Sequence, residues 1–233
     1  MDNKFNKWIK HLEIINSEIS ELLISQNIFW EINNIIKENP NLNKPSAFWN
    51  YFGNTYVASV AIAVRRQIKN KPNSISFIQL LEDMKEHPQS FPRNYYHEIY
   101  KGSLVEQWVD KDFNRFAKPS QNHICPDMIS ADIVKLKQIV KKCEDFADKV
   151  VAHSDKRKPK ILPTFNELDN CIKFLDKLYV KYHLLFHAQS MDTLMPTYQY
   201  DWTEIFKYPW IFENLDNSPA ERVIALDSSL HSQ

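Results

Sequence analysis

Residues 130–150 read SADIVKLKQIVKKCEDFADKV. Within them Ile133, Leu136, Val140, Cys143, Ala147 and Val150 recur at alternating steps of three and four, which gathers them on one face of an α-helix. A second seam follows Pro163, through Leu168, Ile172, Leu175, Tyr179, Tyr182 and Phe186. Thr164 with Glu167 three residues later has the pattern of a capping box, so a helix starts there. Two long seamed helices joined by a short basic connection bury their apolar faces by packing antiparallel, as in an up-down bundle. The expected fold is all-α.

Upstream, residues 3–38 predict one or two amphipathic helices, with Trp8, Leu12, Ile15, Ile19 and Leu22–Leu23 on the apolar face. Pro40 and Pro45 with three asparagines end the pattern. Ser46 is the expected N-cap of a central helix reaching Gln67–Lys69, with Trp49, Phe52, Tyr56, Val60 and Val64 on one side. Gly53 inside it predicts close contact with another element, because glycine in a helix costs about 1 kcal/mol relative to alanine. Ser74 or Ser76 caps the next helix, through Ile78, Leu81 and Met84. Residues 93–117 are expected to be mostly helical and 118–129 to be loop.

Composition removes several function classes. Gly53 and Gly102 are the only two glycines, where an ordinary share of roughly 7% would give about sixteen. A dinucleotide fingerprint or a P-loop needs several glycines in one turn, so neither can be built. Cys125, Cys143 and Cys171 are odd in number and never form a CxxC pair, which argues against a disulfide framework and for a reducing compartment. The opening residues are charged and amphipathic, unlike a secretory signal. The longest nearly apolar run, Tyr56 to Val64, is far short of the roughly 18 residues of a membrane span. A cytoplasmic protein without a membrane segment is expected. Net charge is zero, so contact with nucleic acid must come from a local patch.

The C-terminal region differs in composition. Tyr198, Tyr200, Trp202, Phe206, Tyr208, Trp210 and Phe212 crowd into one stretch, which predicts a strap (about residues 196–213) packed on the bundle or on a partner. The expected organisation is one domain over 1–217, with a poorly ordered tail over 218–233.

Chemistry concentrates at Asp148-Lys149-Val150-Val151-Ala152-His153-Ser154-Asp155, followed by Lys156, Arg157, Lys158 and Lys160. Residues four apart share a helix face, so Lys149 is expected beneath His153, at the edge of the buried seam. Nearby cations attract phosphate and favour the neutral imidazole, while the helix C-terminal dipole pulls the other way. His153 therefore reads either as a proton-transfer group acting on a phosphodiester or as a helix-end histidine bonded to free carbonyls. Lys156 to Lys160 read as a solvated turn complementing the dipole or as a phosphate-contacting rim. Arg65 and Arg66 end the central helix and read as phosphate-binding guanidiniums or as ion-pair partners of Asp148 or Asp155. His183 and His187 sit four apart without an evident third ligand, and no serine triad emerges, so no metal site is expected.

Three blocks carry a resemblance to a known family. They are Val60-Ala61-Ile62-Ala63-Val64-Arg65-Arg66 followed by Ser74–Leu81, the Asp148–Asp155 block, and Asp201-Trp202…Phe206…Pro209-Trp210. The chain resembles the HEPN superfamily of helical bundles, and within it the AbiU2-like branch named after a phage abortive-infection protein. Active HEPN members are metal-independent ribonucleases whose signature is an arginine, a polar residue and, a few residues on, a histidine. The histidine falls on His153, the polar position on Lys149, and the arginine position on Asp148, a departure that puts an anion where phosphate would be held.

The resemblance implies His153, Lys149 and Asp148 as catalytic positions. Arg65, Arg66, Lys156, Arg157 and Lys158 are the expected substrate contacts from their charge and placement, and no cofactor or metal is expected. The resemblance further implies a homodimer that brings two histidines to one groove, RNA as the target, and an antitoxin or regulatory protein as a partner. Asp148 also fits a catalytically silent scaffold that binds a partner protein or nucleotide.

Overall fold

The computed structural model describes residues 3–71, 74–151, 162–208 and 210. Among them the regular structure is helical, with a single isolated bridge between Pro92 and His123. The chain divides into two compact units, Met1–Pro196 and Thr197–Gln233.

The first unit opens on α1 (Asn3–Glu38), one unbroken helix of 36 residues. Neither proline nor glycine interrupts it, and its buried face runs from Phe5 through Trp8, Leu12, Ile15, Ile19 and Leu22 to Phe29. Helix α2 (Ala47–Arg66) starts at Ser46, whose side chain accepts from the Phe48 amide. It buries Tyr56, Val60, Ala61 and Val64. Helix α3 (Phe77–Glu86) is capped by Ser76, which accepts from the Gln79 amide; Ser74 instead bonds back to the carbonyls of Lys69 and Lys71.

The middle of the chain is built of short helical pieces and, with the 3-10 turn Glu106–Trp108 included, residues 93–117 are mostly helical as expected. Between residues 93 and 117 only α4 (Arg93–Tyr100) and α5 (Val109–Phe113) are α-helical. Gly102 separates them at a φ of 74°, a left-handed conformation that stops a helix and suits glycine. The expected loop over 118–129 ends early, because α6 (Pro126–Phe146) begins at Pro126. Proline fits the first turn, where its missing N–H would have had no helical partner.

Helix α6 continues into a π turn over Ala147–Val151, and α7 (Phe165–His187) starts at the Thr164–Glu167 capping box. Every residue of the seam on α7, from Leu168 to Phe186, is buried. On α6 the seam holds through Ala147, but Val150 is 43% exposed. The π turn accommodates an extra residue per turn, so the three-and-four spacing loses the core face there.

Side-chain contacts fix the helix directions. Lys142 meets Glu167, Cys143 Sγ lies 3.3 Å from Cys171 Sγ, and the Tyr182 hydroxyl donates to Asp132 at 2.8 Å. Numbers fall along α6 as they rise along α7, so the two run antiparallel. Helix α1 is antiparallel to α7 (Asn16 to Tyr179, Gln26 to Asp169) and to α2 (Phe29 stacked on Tyr56, Glu18 bonded to Gln67). Trp8, Phe77, Phe91, Tyr96, Phe113, Phe116 and Tyr182 fill the bundle interior among α1, α3, α4, α5 and α7.

Gly53 corrects one expectation. A Cβ built there would meet nothing within 4 Å, so the glycine borders open space and not a close helix contact.

In the second unit, residues Trp202–Lys207 form a 3-10 helix capped by Asp201, which accepts from the Thr203 amide. Its rings pack on one another, Trp202 against Tyr198 and Phe206, and Phe206 stacked on Trp210 at 5.6 Å. Among the described residues no helix is long and apolar enough to cross a membrane.

Candidate functional site

The last turn of α2 and the π turn after α6 meet at one charged cluster. The Arg65 guanidinium donates through Nε to Asp148 Oδ1. Lys69 Nζ, just past the end of α2, reaches Asp148 Oδ2 at 3.2 Å and Glu144 Oε1 at 3.1 Å. Two cations thus face two carboxylates across the α2–α6 contact. Arg65 lies in the last turn of α2 and Lys69 just beyond its cap, so the α2 end delivers both.

Burial alone would raise the Asp148 carboxyl, but hydrogen bonds from Lys69 and Arg65 outweigh it and hold the group below the usual carboxylate range. Asp148 is therefore ionised at neutral pH. A guanidinium sits directly on this anion. Arg65 uses only Nε in this contact, and its two terminal nitrogens have no hydrogen-bond partner among the described residues. Guanidinium nitrogens of this kind suit a phosphate or carboxylate oxygen.

The other predicted residues separate. Arg66 turns away from the π turn toward α1, where its terminal nitrogen lies 3.6 Å from Glu18. Glu18 also accepts from the Gln67 side chain, so Arg66 belongs to a tie between α1 and α2 and not to the Asp148 cluster. Lys149 is part-exposed and makes no ion pair among the described residues. His153, Lys156, Arg157 and Lys158 lie outside the described residues, as do Asp155 and Lys160.

Sequence reasoning missed Lys69 and Glu144. Lys69 carries a usable signal, its spacing of four from Arg65; Glu144 carries none beyond preceding Asp148 by four. The π turn breaks that helical spacing, so the placement of Asp148 follows from the backbone bulge. Bulges of this kind recur at functional sites because they re-aim side chains.

Elsewhere, Asp83, Glu86 and His87 bring ligand-type atoms within 4.8 Å of one another. The Asp83 oxygens already accept from Lys4 at 2.8 Å, Lys7 at 3.2 Å and Trp8 Nε1 at 3.0 Å, so this carboxylate is consumed in bracing α1 to α3. His183 and His187 have ring centroids 4.6 Å apart. Burial first, then the neighbouring His183, holds His187 below the usual histidine range.

No curated protein and no solved structure gives a significant match to the chain. The HEPN family model described as AbiU2 matches residues 3–205, from the first turn of α1 into the 3-10 helix of the second unit. With that match running through every helix of the bundle, the chain belongs to the AbiU2 family of HEPN proteins.

Proposed function

We propose that this HEPN defence protein is a cytoplasmic, metal-independent endoribonuclease that acts as a homodimer and is held in check by an antitoxin or regulatory protein. One observation carries the reading: Arg65 places a guanidinium against position 148, where the family pattern calls for arginine. The function of that arginine, holding phosphate, passes to a neighbouring helix. Asp148 is then a positioning residue, fixing Arg65 through Nε and leaving its terminal nitrogens for phosphate.

In this mechanism His153 takes the proton from a ribose 2′-OH or gives one to the departing 5′-oxygen. The 2′-oxygen bonds to phosphorus as the P–O5′ bond breaks, leaving a 2′,3′-cyclic phosphate and a free 5′-hydroxyl. Arg65 and Lys149, with Lys156, Arg157 and Lys158, neutralise the charge that develops on the phosphoryl oxygens. No metal enters these steps.

A silent scaffold is the second reading, favoured by the same cluster. Asp148 and Glu144 offset Arg65 and Lys69, leaving little net positive charge to draw RNA.

The test is cleavage of labelled RNA in EDTA by wild type, His153→Ala and Arg65→Ala. The nuclease reading expects losses of about a hundredfold or more for His153→Ala. Equal rates for wild type and His153→Ala remove it. A wild type that captures a partner protein but turns over no RNA between about pH 5 and 9 favours the scaffold.

A further inference from the structure

A cavity of about 250 Å³ lies between the C-terminal part of α1, the N-terminal half of α2 and the start of α7. Aromatic rings form much of its wall. Phe52 and Phe165 stack on Phe29 with centroids 5.4 and 5.2 Å away and planes 25° from parallel. Phe29 is itself stacked on Tyr56 at 3.9 Å, which fixes the column. Trp49 adds a further ring, anchored by its indole N–H on the Leu42 carbonyl at 3.1 Å.

Three carboxamides share the lining: Asn33, Asn50 and Asn54. Asn33 spends its amide nitrogen on the Phe29 carbonyl at 2.6 Å, which leaves its oxygen to accept. The side chains of Asn50 and Asn54 make no hydrogen bond among the described residues. Among the described residues no charged side chain lines this wall, whereas the neighbouring cavity between α1 and α2 has Glu18, Glu21 and Arg66 in its lining. At Gly53 the missing side chain leaves the space open.

Flat rings for stacking, amides with free donors and acceptors, and no fixed charge select a planar, neutral ligand with a polar edge. A nucleobase has that chemistry, and single-stranded RNA is read by aromatic stacking combined with amide contacts to base edges. Among the described residues a phosphate or carboxylate would find no cation here. The same helix carries Arg65 twelve residues beyond Gly53, about 18 Å along its axis. Phe165 opens α7, twelve residues after His153. We infer that this cavity is a nucleobase subsite, taking one unstacked base of an RNA strand a few nucleotides from the phosphate held at Arg65. The inference rests on the RNA reading above and adds to it a source of base preference.

The experiment measures binding of labelled homopolymeric oligoribonucleotides (adenylate, uridylate, cytidylate, guanylate) in EDTA, by fluorescence anisotropy over a series of salt concentrations. The proteins are His153→Ala and the same chain with Gly53→Leu. Leucine at 53 enters empty space in a helix, so the double variant folds, and its urea midpoint is measured alongside. The expected result is one homopolymer bound most tightly by His153→Ala, with about a tenfold loss for that homopolymer on adding Gly53→Leu. The salt slope stays unchanged, because no phosphate contact is removed. Equal affinities and preferences in the two proteins overturn the subsite while leaving the RNA reading intact. A shallower salt slope with Gly53→Leu overturns the assignment to a base. No binding of any homopolymer by His153→Ala at low salt overturns the RNA reading and the subsite together.

Discussion

The Arg65 guanidinium at the end of α2 holds the Asp148 carboxylate on the π turn that closes α6. The two residues are 83 positions apart, so the tie joins the central helix to the segment that leads into the histidine block. Lys69 grips the second carboxylate oxygen and extends to Glu144, so the bulged turn is held from α2 by two cations. The charge of Asp148 is thus compensated by an arginine from a neighbouring helix.

Charge reversal tests that compensation. Asp148→Arg sets a third cation beside Arg65 and Lys69 and is expected to destabilise the fold by about 1 kcal/mol. Adding Arg65→Asp restores an opposite pair and recovers roughly half. The side chains are 27% and 35% exposed, so water screens the pair and the coupling in a double-mutant cycle is expected at about 0.5–1 kcal/mol. Urea unfolding of the four chains supplies the numbers, and simple additivity would refute the tie. The Asp148 carboxyl lies below its ordinary range in the fold, so the contribution is complete above about pH 4 and fades as pH falls through the folded pKa.

Asp83 gives a larger effect of the same sign. Burial raises its carboxyl, but hydrogen bonds from Lys4, Trp8 and Lys7 prevail and pull it down to about 2, from an ordinary 3.8. A folded pKa below the unfolded one stabilises above the unfolded value, here by about 2 kcal/mol, and that stability is lost between about pH 4 and pH 2. Asp83→Asn is expected to lower unfolding free energy by about 2 kcal/mol at neutral pH and to flatten the acid limb of a stability–pH curve. An unchanged acid limb would show that the bridge between α1 and α3 contributes nothing.

The long helices are legible in the sequence because periodicity and caps are local. Leu168 to Phe186 are six positions on one strip, and Ser46, Ser76 and Thr164 each bond to an amide two or three residues away. The π turn is not legible, since it depends on which carbonyl each backbone amide selects, and so Val150 leaves the seam. Gly53 misleads for a related reason: a missing side chain marks either a close approach or a void, and only the neighbouring helix decides which. At the site, Arg65 and Arg66 are adjacent and alike in sequence. Their division between Asp148 and Glu18 follows from facing different helices, 100° apart around α2.

The two glycines are expected to respond oppositely to alanine. Gly53 lies inside α2 with open space at its Cβ position, so Gly53→Ala is expected to stabilise by about 1 kcal/mol through helix propensity. Gly102 has a φ of 74°, where a side chain strains the backbone, and Gly102→Ala is expected to destabilise by about 1 kcal/mol. Thermal midpoints of the two variants should move in opposite directions, and a matched shift would contradict the geometry at one of them.

Asp176 on α7 is buried and pairs with no cation among the described residues; it accepts instead from the Thr193 hydroxyl and the Leu194 amide, each at 2.8 Å. Ala188, at a φ of 52°, ends α7 and turns the chain back so that these two residues reach the carboxylate. Asp176→Ala strands the Leu194 amide in a buried setting and is expected to cost about 1–3 kcal/mol. The loss falls locally: hydrogen exchange at Leu194 and proteolysis within residues 188–196 quicken, while the far-UV signal of α7 holds. Asp176→Asn keeps one oxygen to accept and is expected to lose about half as much. If exchange at Leu194 is as slow in Asp176→Ala as in wild type, the carboxylate does not hold the turn, and burial of Leu194 alone must do so.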